Sequence, residues 1–237
     1  MRSRSATEWA KAAVVEVEAE SAAVTLADLK LIDLERMAHL ANYWDTLGWV
    51  YFRIGNLDQA EKYLNAAWTL AQNPDQGDHL GQLYEKKNQK EVAAKMYRLA
   101  LAATPERLRR SDATEQIRTR LEHLRPGAVQ SQNNIDFQEG SELNQMRTVK
   151  LARITSETAS AEFFLIFGPG PKVEDVKFIR GSVKLQSAGD VLRSASFKVR
   201  FPDDSRARLL RRGILNCSPV SGCSFVFLMP DSVHSIN

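Results

Sequence analysis

The sequence predicts α-helical repeat hairpins followed by a small α+β domain, and three observations carry that prediction. Small and aromatic residues recur at a fixed interval: Gly48 and Gly81, Tyr51 and Tyr84, Ala60 and Ala93, and Ala67 and Ala100 each lie thirty-three positions apart. Helical periodicity holds to about residue 125, after which apolar residues come in short runs rich in Val, Ile, Leu and Phe. Between the two regions, residues 126–146 open on Pro126-Gly127 and are dominated by Gln, Asn, Ser and Gly.

Residues 1–40 form a helical lead-in. Thr25-Leu26-Ala27-Asp28 opens an apolar-periodic run through Leu29, Leu31, Ile32, Leu34, Met37 and Leu40. Residues 41–125 hold two repeats and a capping helix. The first repeat reads Trp44, Leu47, Gly48, Tyr51, Ala60, Leu64, Ala67; the second reads Leu80, Gly81, Tyr84, Ala93, Tyr97, Ala100, Pro105, with Gly77 where the first has Trp44. Gly48 and Gly81 remove a side chain where two helices cross, and Ala60 and Ala93 do so from the other side, so the axes can approach. Gly55 and Asn88 supply the turn inside each pair, being the residue types that best tolerate a left-handed backbone. Two such units need neighbours to cover their faces. Ser111, with Glu115 a turn on, starts a capping helix whose Ile117, Leu121 and Leu124 make one buried stripe, leaving Arg109, Arg110, Arg118, Arg120 and Arg125 to face solvent.

On these residues the segment 41–107 resembles tetratricopeptide repeats. The resemblance implies stacked helix pairs whose first helices, the A helices, line an inner groove that holds a protein or peptide ligand. Positions off the packing face are Asn42, Asp45, Trp49, Phe52 and Arg53 in the first copy and Asp75, Asp78, Gln82, Glu85 and Lys86 in the second. They depart from the Lys/Asn clamp that some such proteins use for a C-terminal carboxylate. An apolar or basic extended segment is therefore expected, with Trp49 and Phe52 as anchors and the carboxylates giving selectivity.

Residues 126–146 read as a linker, and 147–237 as the α+β domain. Strands are expected at 147–154, 161–167, 173–179, 209–215 and 225–228, with Gly168-Pro169-Gly170-Pro171 as the sharpest turn and one helix presenting Val183, Leu185, Ala188, Val191, Leu192 and Ala195. The stretch from Val173-Glu174-Asp175-Val176-Lys177-Phe178 through Gly181 and Leu192 to Phe197 and Pro202 resembles the C-terminal domain of TonB-type energy transducers. The repeat pair followed by Phe201-Pro202-Asp203-Asp204 and Arg211-Arg212-Gly213-Ile214-Leu215 also resembles the tail of bacterial transglutaminase-like proteins. That likeness implies an accessory region without catalytic residues of its own.

Composition fits small soluble domains: 43% apolar, 26% charged, net charge +3. No apolar run reaches the ~20 residues a bilayer span needs. Ala12-Ala13-Val14-Val15, preceded by Arg2 and Arg4, is cut short by Glu16, Glu18 and Glu20, so no signal-peptide core is read. A cytoplasmic protein is expected if the chain is complete, and a periplasmic or cell-envelope one if it ends a longer exported protein. No catalytic set, cofactor or metal site is expected: Gly168-Pro169-Gly170 lacks the lysine and helix start of a phosphate loop, Asp203-Asp204 read as a turn, and His39, His79, His123 and His234 are scattered. The arginines from Arg193 to Arg212, densest at Arg206, Arg208, Arg211 and Arg212, have only Phe197 and Phe201 near them as stacking residues, so they read as edge-strand protection rather than nucleic-acid contacts. Cys217 and Cys223 flank a short loop between strands; a cross-strand disulfide, two reduced thiols and a metal or nucleophilic pair all stay open. The expected function is non-enzymatic protein binding within a bacterial multi-protein assembly; the alternative is an accessory region of a transglutaminase-like or other envelope enzyme.

Overall fold

The computed structural model describes residues 5–127 and 132–230, and of 132–138 the backbone alone. Arg2, Arg4 and His234, named above, lie outside the described residues. Helix α1 (Ala6–Ala22) starts in a capping box, with the Ser5 hydroxyl accepting from the Glu8 amide and the Glu8 carboxylate accepting from the Ser5 amide. The first repeat is α2 (Leu31–Arg53) with α3 (Leu57–Ala71), and the second is α4 (Pro74–Lys86) with α5 (Lys90–Ala103). From Leu31 on, the lead-in run and the first A helix are thus one continuous helix, whereas residues 25–30, expected to open that run, are not helical. Both turns use the left-handed conformation, at Gly55 (φ +82°) and Asn88 (φ +59°).

The crossings explain the repeated small residues. A Cβ at Gly48 would lie 2.8 Å from Leu64 Cγ, and one at Gly81 only 2.2 Å from the Tyr97 ring. Gly77 replaces the tryptophan of the first copy for a packing reason: a Cβ there would stand 2.8 Å from the Ala100 methyl and 3.0 Å from the Trp68 indole, which fills the space from α3. After a 3₁₀ turn at Glu106–Leu108 comes α6 (Asp112–Leu124), capped by the Ser111 hydroxyl, which accepts from the Thr114 amide. Ile117 and Leu121 are buried in the core. Arg120 departs from the expected solvent position and reaches back to α4, where it binds Asp78.

The expected linker at 126–146 is corrected: α7 (Gln132–Arg147) occupies most of it. Its sequence is too polar to show an apolar stripe. What holds it is tertiary: Glu139 accepts from Arg98 at 2.9 Å, Glu142 pairs with Lys95, both partners on α5, and Leu143 is buried. Gly140 sits in this helix with nothing within 4 Å of a built Cβ. Gly140→Ala should therefore raise stability by about 0.5–1 kcal/mol, the helix-interior difference between the two residues. A urea unfolding midpoint that stays put or falls would contradict a stable α7.

The C-terminal sheet has five antiparallel strands, β1 (Thr148–Leu151), β2 (Ala159–Phe167), β3 (Val173–Gly181), β4 (Leu209–Ser218) and β5 (Gly222–Phe227), ordered β1-β5-β4-β2-β3. The single helix expected over 183–195 is instead a 3₁₀ turn at Val183–Leu185 and a short α8 (Gly189–Ser194). Leu185, Ala188 and Leu192 are buried as expected, but Val183 is exposed, and a turn at 186–188 separates the two pieces. Cys217 and Cys223 are directly opposite in the β4–β5 register and are joined as a disulfide.

The arginine-rich segment is also corrected. β4 is a central strand, not an edge, and Arg211 and Arg212 on it are buried. Adjacent strand residues point to opposite faces. Arg212 donates to Glu162 at 2.6 Å, while Arg211 donates to the Leu70 carbonyl at 2.6 Å, satisfying an orphan acceptor at the C-terminal end of α3.

Helices and sheet share one hydrophobic core. Leu210 donates its amide to the Met37 sulfur, Lys177 donates to the Leu26 carbonyl at 2.8 Å, and Phe201 meets Trp44 edge-on. The sheet is therefore packed onto the repeats rather than tethered beside them.

Candidate functional site

The A helices α2 and α4 stand side by side, and across them Asp45 and Trp49, both expected to line the groove, meet His79. Asp45 and Asp78 occupy the same position in successive repeats, and each is met by a cation from the next helix along. Asp45 holds His79 Nδ1 at 2.9 and 3.0 Å; Asp78 takes both Arg120 contacts at 2.8 and 2.9 Å and accepts from Gln82 at 2.9 Å. Glu85 accepts from the Tyr97 hydroxyl, which ties the A helix to its B helix. Asn42, Arg53, Asp75 and Lys86 are exposed.

Trp49 is the centre of an aromatic stack. Its ring lies 4.1 Å from the His79 imidazole on α4 and 4.6 Å from Phe52 on α2, nearly parallel to both. Trp49 and Phe52 are half-buried, so each keeps an accessible part. Of the acidic residues expected to select a basic ligand, Asp45 and Asp78 already hold internal cations. Among the described residues, the polar side chains of this face without a hydrogen bond or ion pair are Asn42, Arg53, Asp75 and Lys86, a mixed set.

Sequence reasoning set His79 aside as a lone histidine and turned Arg120 outward. The signal that would have found His79 is positional: it lies one repeat plus one residue from Asp45, across the gap between neighbouring A helices. Burial works to lower the His79 pKa, but the hydrogen bond and charge of Asp45, helped by Asp78 and Asp75, outweigh it, so the pKa stands above the usual histidine value. Burial also raises the Asp78 pKa, against the opposing pull of Arg120, His79 and Gln82.

A folded-state pKa above the unfolded value means that the protonated imidazole stabilises the fold. That contribution is complete below the unfolded histidine pKa of about 6.5 and is lost as pH rises through the folded value. Between pH 5.5 and 8.5 the protein should therefore lose more stability than its His79→Gln variant does. Parallel urea titrations at the two pH values measure this, and equal losses in both proteins would refute the coupling.

A family model for the tetratricopeptide repeat matches residues 41–74 and 78–107, the two helix pairs described above. The two matched helix pairs are tetratricopeptide repeats in the N-terminal part of the chain, and the five-stranded antiparallel sheet follows at the C-terminal end. Neither the curated proteins nor the solved structures give a significant match. Among the described residues no helix is long and apolar enough to cross a membrane, and no group of three or more His, Cys, Asp or Glu is placed to hold a metal ion. Tetratricopeptide repeats generally mediate protein–protein interaction.

Proposed function

We propose that this chain is a non-enzymatic protein-binding module, working within a larger assembly, that takes an extended segment of its partner along the A-helix face. The observation that carries the reading is the Phe52–Trp49–His79 stack, which places a half-buried indole across the junction of two A helices. Rigid aromatic side chains in such positions are the usual anchors of a binding surface. The flanking groups are of both signs, with Arg53 and Lys86 beside Asp75. The segment bound is accordingly apolar at its centre, with polar flanks of mixed charge.

A displayed peptide library selected against the full chain tests this. The best peptides should lose at least tenfold in affinity to Trp49→Ala and several-fold to Phe52→Ala, while Lys90→Ala, on the other helix of the second repeat, leaves them unchanged. Selected peptides that bind Trp49→Ala and Phe52→Ala as well as the parent protein would place binding elsewhere.

A further inference from the structure

A cavity of about 500 Å³ lies away from the A-helix face, where the B helices α3 and α5 meet α7 and the sheet. That volume is within the range of small-ligand sites. Its body is apolar, formed by Trp68, Met96, Leu99, Val199, Leu209 and Phe227. Its charge is one-sided. The wall carries five cationic side chains, Lys95, Arg147, Lys198, Arg200 and Arg211, and one carboxylate, Glu142, which is paired with Lys95.

Arg211 is the informative member. It is 5% exposed, and among the described residues no carboxylate pairs with it. Nη1 is committed to the Leu70 carbonyl at 2.6 Å, and the guanidinium lies 4.6 Å over the Phe227 ring, so its plane is fixed. Its buried Nε has no hydrogen-bond acceptor among the described residues. A second buried donor on the same wall, Trp68 Nε1, also has none. Burial, with the charge of Arg147 adding, pulls the Arg211 pKa down to about 9, so the group stays cationic at neutral pH without a counter-charge of its own. Buried donors and charges in this condition cost stability, and an anion that accepts from them removes the penalty. A guanidinium held in one plane at the wall of an apolar cavity matches a planar carboxylate.

We infer that this cavity binds an apolar body bearing a terminal carboxylate, with the acid group on Arg211 and the body against Trp68, Leu99 and Phe227. The carboxylate could belong to a small organic acid or to the C-terminus of a peptide, and the test separates the two. Octanoate and octanamide form one probe pair; a tetrapeptide ending in phenylalanine, as free acid and as amide, forms the other. Calorimetric titration of the full chain should show at least one acid binding with 1:1 stoichiometry and its neutral amide at least tenfold weaker. The pair that responds identifies the source. Arg211→Gln should abolish the preference for the acid, and a folded variant that keeps it would overturn the inference. Should Arg211→Gln fail to fold, the exposed pair Lys198→Gln with Arg200→Gln should weaken the acid about threefold by lowering the local positive potential, and leave the amide unchanged. An unaltered acid affinity there, or the failure of both acids to bind the parent chain, would likewise overturn it.

Discussion

Gly81→Leu is expected to destabilise the protein by about 3 kcal/mol or more, and even Gly81→Ala by about 2, because the space is already taken. A first carbon at that position would stand 2.2 Å from Tyr97 Cε1, 2.5 Å from Cδ1 and 2.6 Å from Cζ, so the ring must leave its place. Tyr97 is wholly buried, and its hydroxyl donates to Glu85, so moving the ring breaks a charged hydrogen bond as well as the packing. Such a bond contributes roughly 1.5–3 kcal/mol. The equivalent Gly48→Ala should cost about half as much, since the nearest atom is Leu64 Cγ at 2.8 Å and a leucine side chain yields more easily than a ring. The comparison also supplies a rescue. Tyr97→Leu recreates in the second repeat the partner used in the first, so it should recover part of the stability lost in Gly81→Ala. Urea unfolding of the four variants measures all of this. Equal midpoints for Gly81→Ala and the parent protein would mean that the helices do not cross at Gly81.

The same crossing shows why the repeats were legible in the sequence while much of the surrounding structure was not. A close helix crossing demands a small residue at a fixed place, and doing so twice leaves the thirty-three-residue echo of Gly48 in Gly81. Strand positions were legible for a related reason, since runs such as Phe163-Phe164-Leu165-Ile166-Phe167 are buried on both faces of the sheet. Helix α7 carries no such local mark. Its described contacts include ion pairs to Lys95 and Arg98 on α5, the bond from Arg147 to Gln72 at the end of α3 and the burial of Leu143, all set by the position of other elements. Arg211 misled for the opposite reason: an arginine run looks like a solvated edge until pairing order makes its strand central, with the end of α3 lying over one face. The internal pairing of the A-helix face was not legible, because the partner of Asp45 sits on the neighbouring A helix in space and thirty-four residues away in sequence. The cavity holding Arg211 is assembled from α3, α5, α7 and the segment before β4, so no local pattern could announce it.

The attachment of the sheet to the repeats gives the second large effect, since Glu18→Ala is expected to cost about 2–4 kcal/mol through stranded buried donors. Glu18 sits near the end of α1, is 7% exposed, and accepts from three partners on different parts of the chain. Trp44 Nε1 on α2 donates at 2.8 Å, the Ser205 hydroxyl at 2.8 Å and the Arg206 amide at 3.0 Å, the last two in the segment leading into β4. The partners do not suffer equally. Ser205 can turn its hydroxyl, and Arg206 lies at the surface, where water can replace the lost acceptor. Trp44 is fully buried, so its indole N–H has nowhere to go and carries most of the penalty. Glu18→Gln keeps an oxygen facing the indole and should lose only about half as much, since it gives up the charge but not the acceptor. The decisive measurement is the double variant. Trp44→Phe removes the donor itself, so Glu18→Ala made in that background should cost at least 1 kcal/mol less than in the parent chain, a coupling of the size expected for directly bonded groups. Additive losses would show that the carboxylate acts only on the Ser205–Arg206 segment, and that the tie between α1, the first repeat and the sheet does not run through the tryptophan.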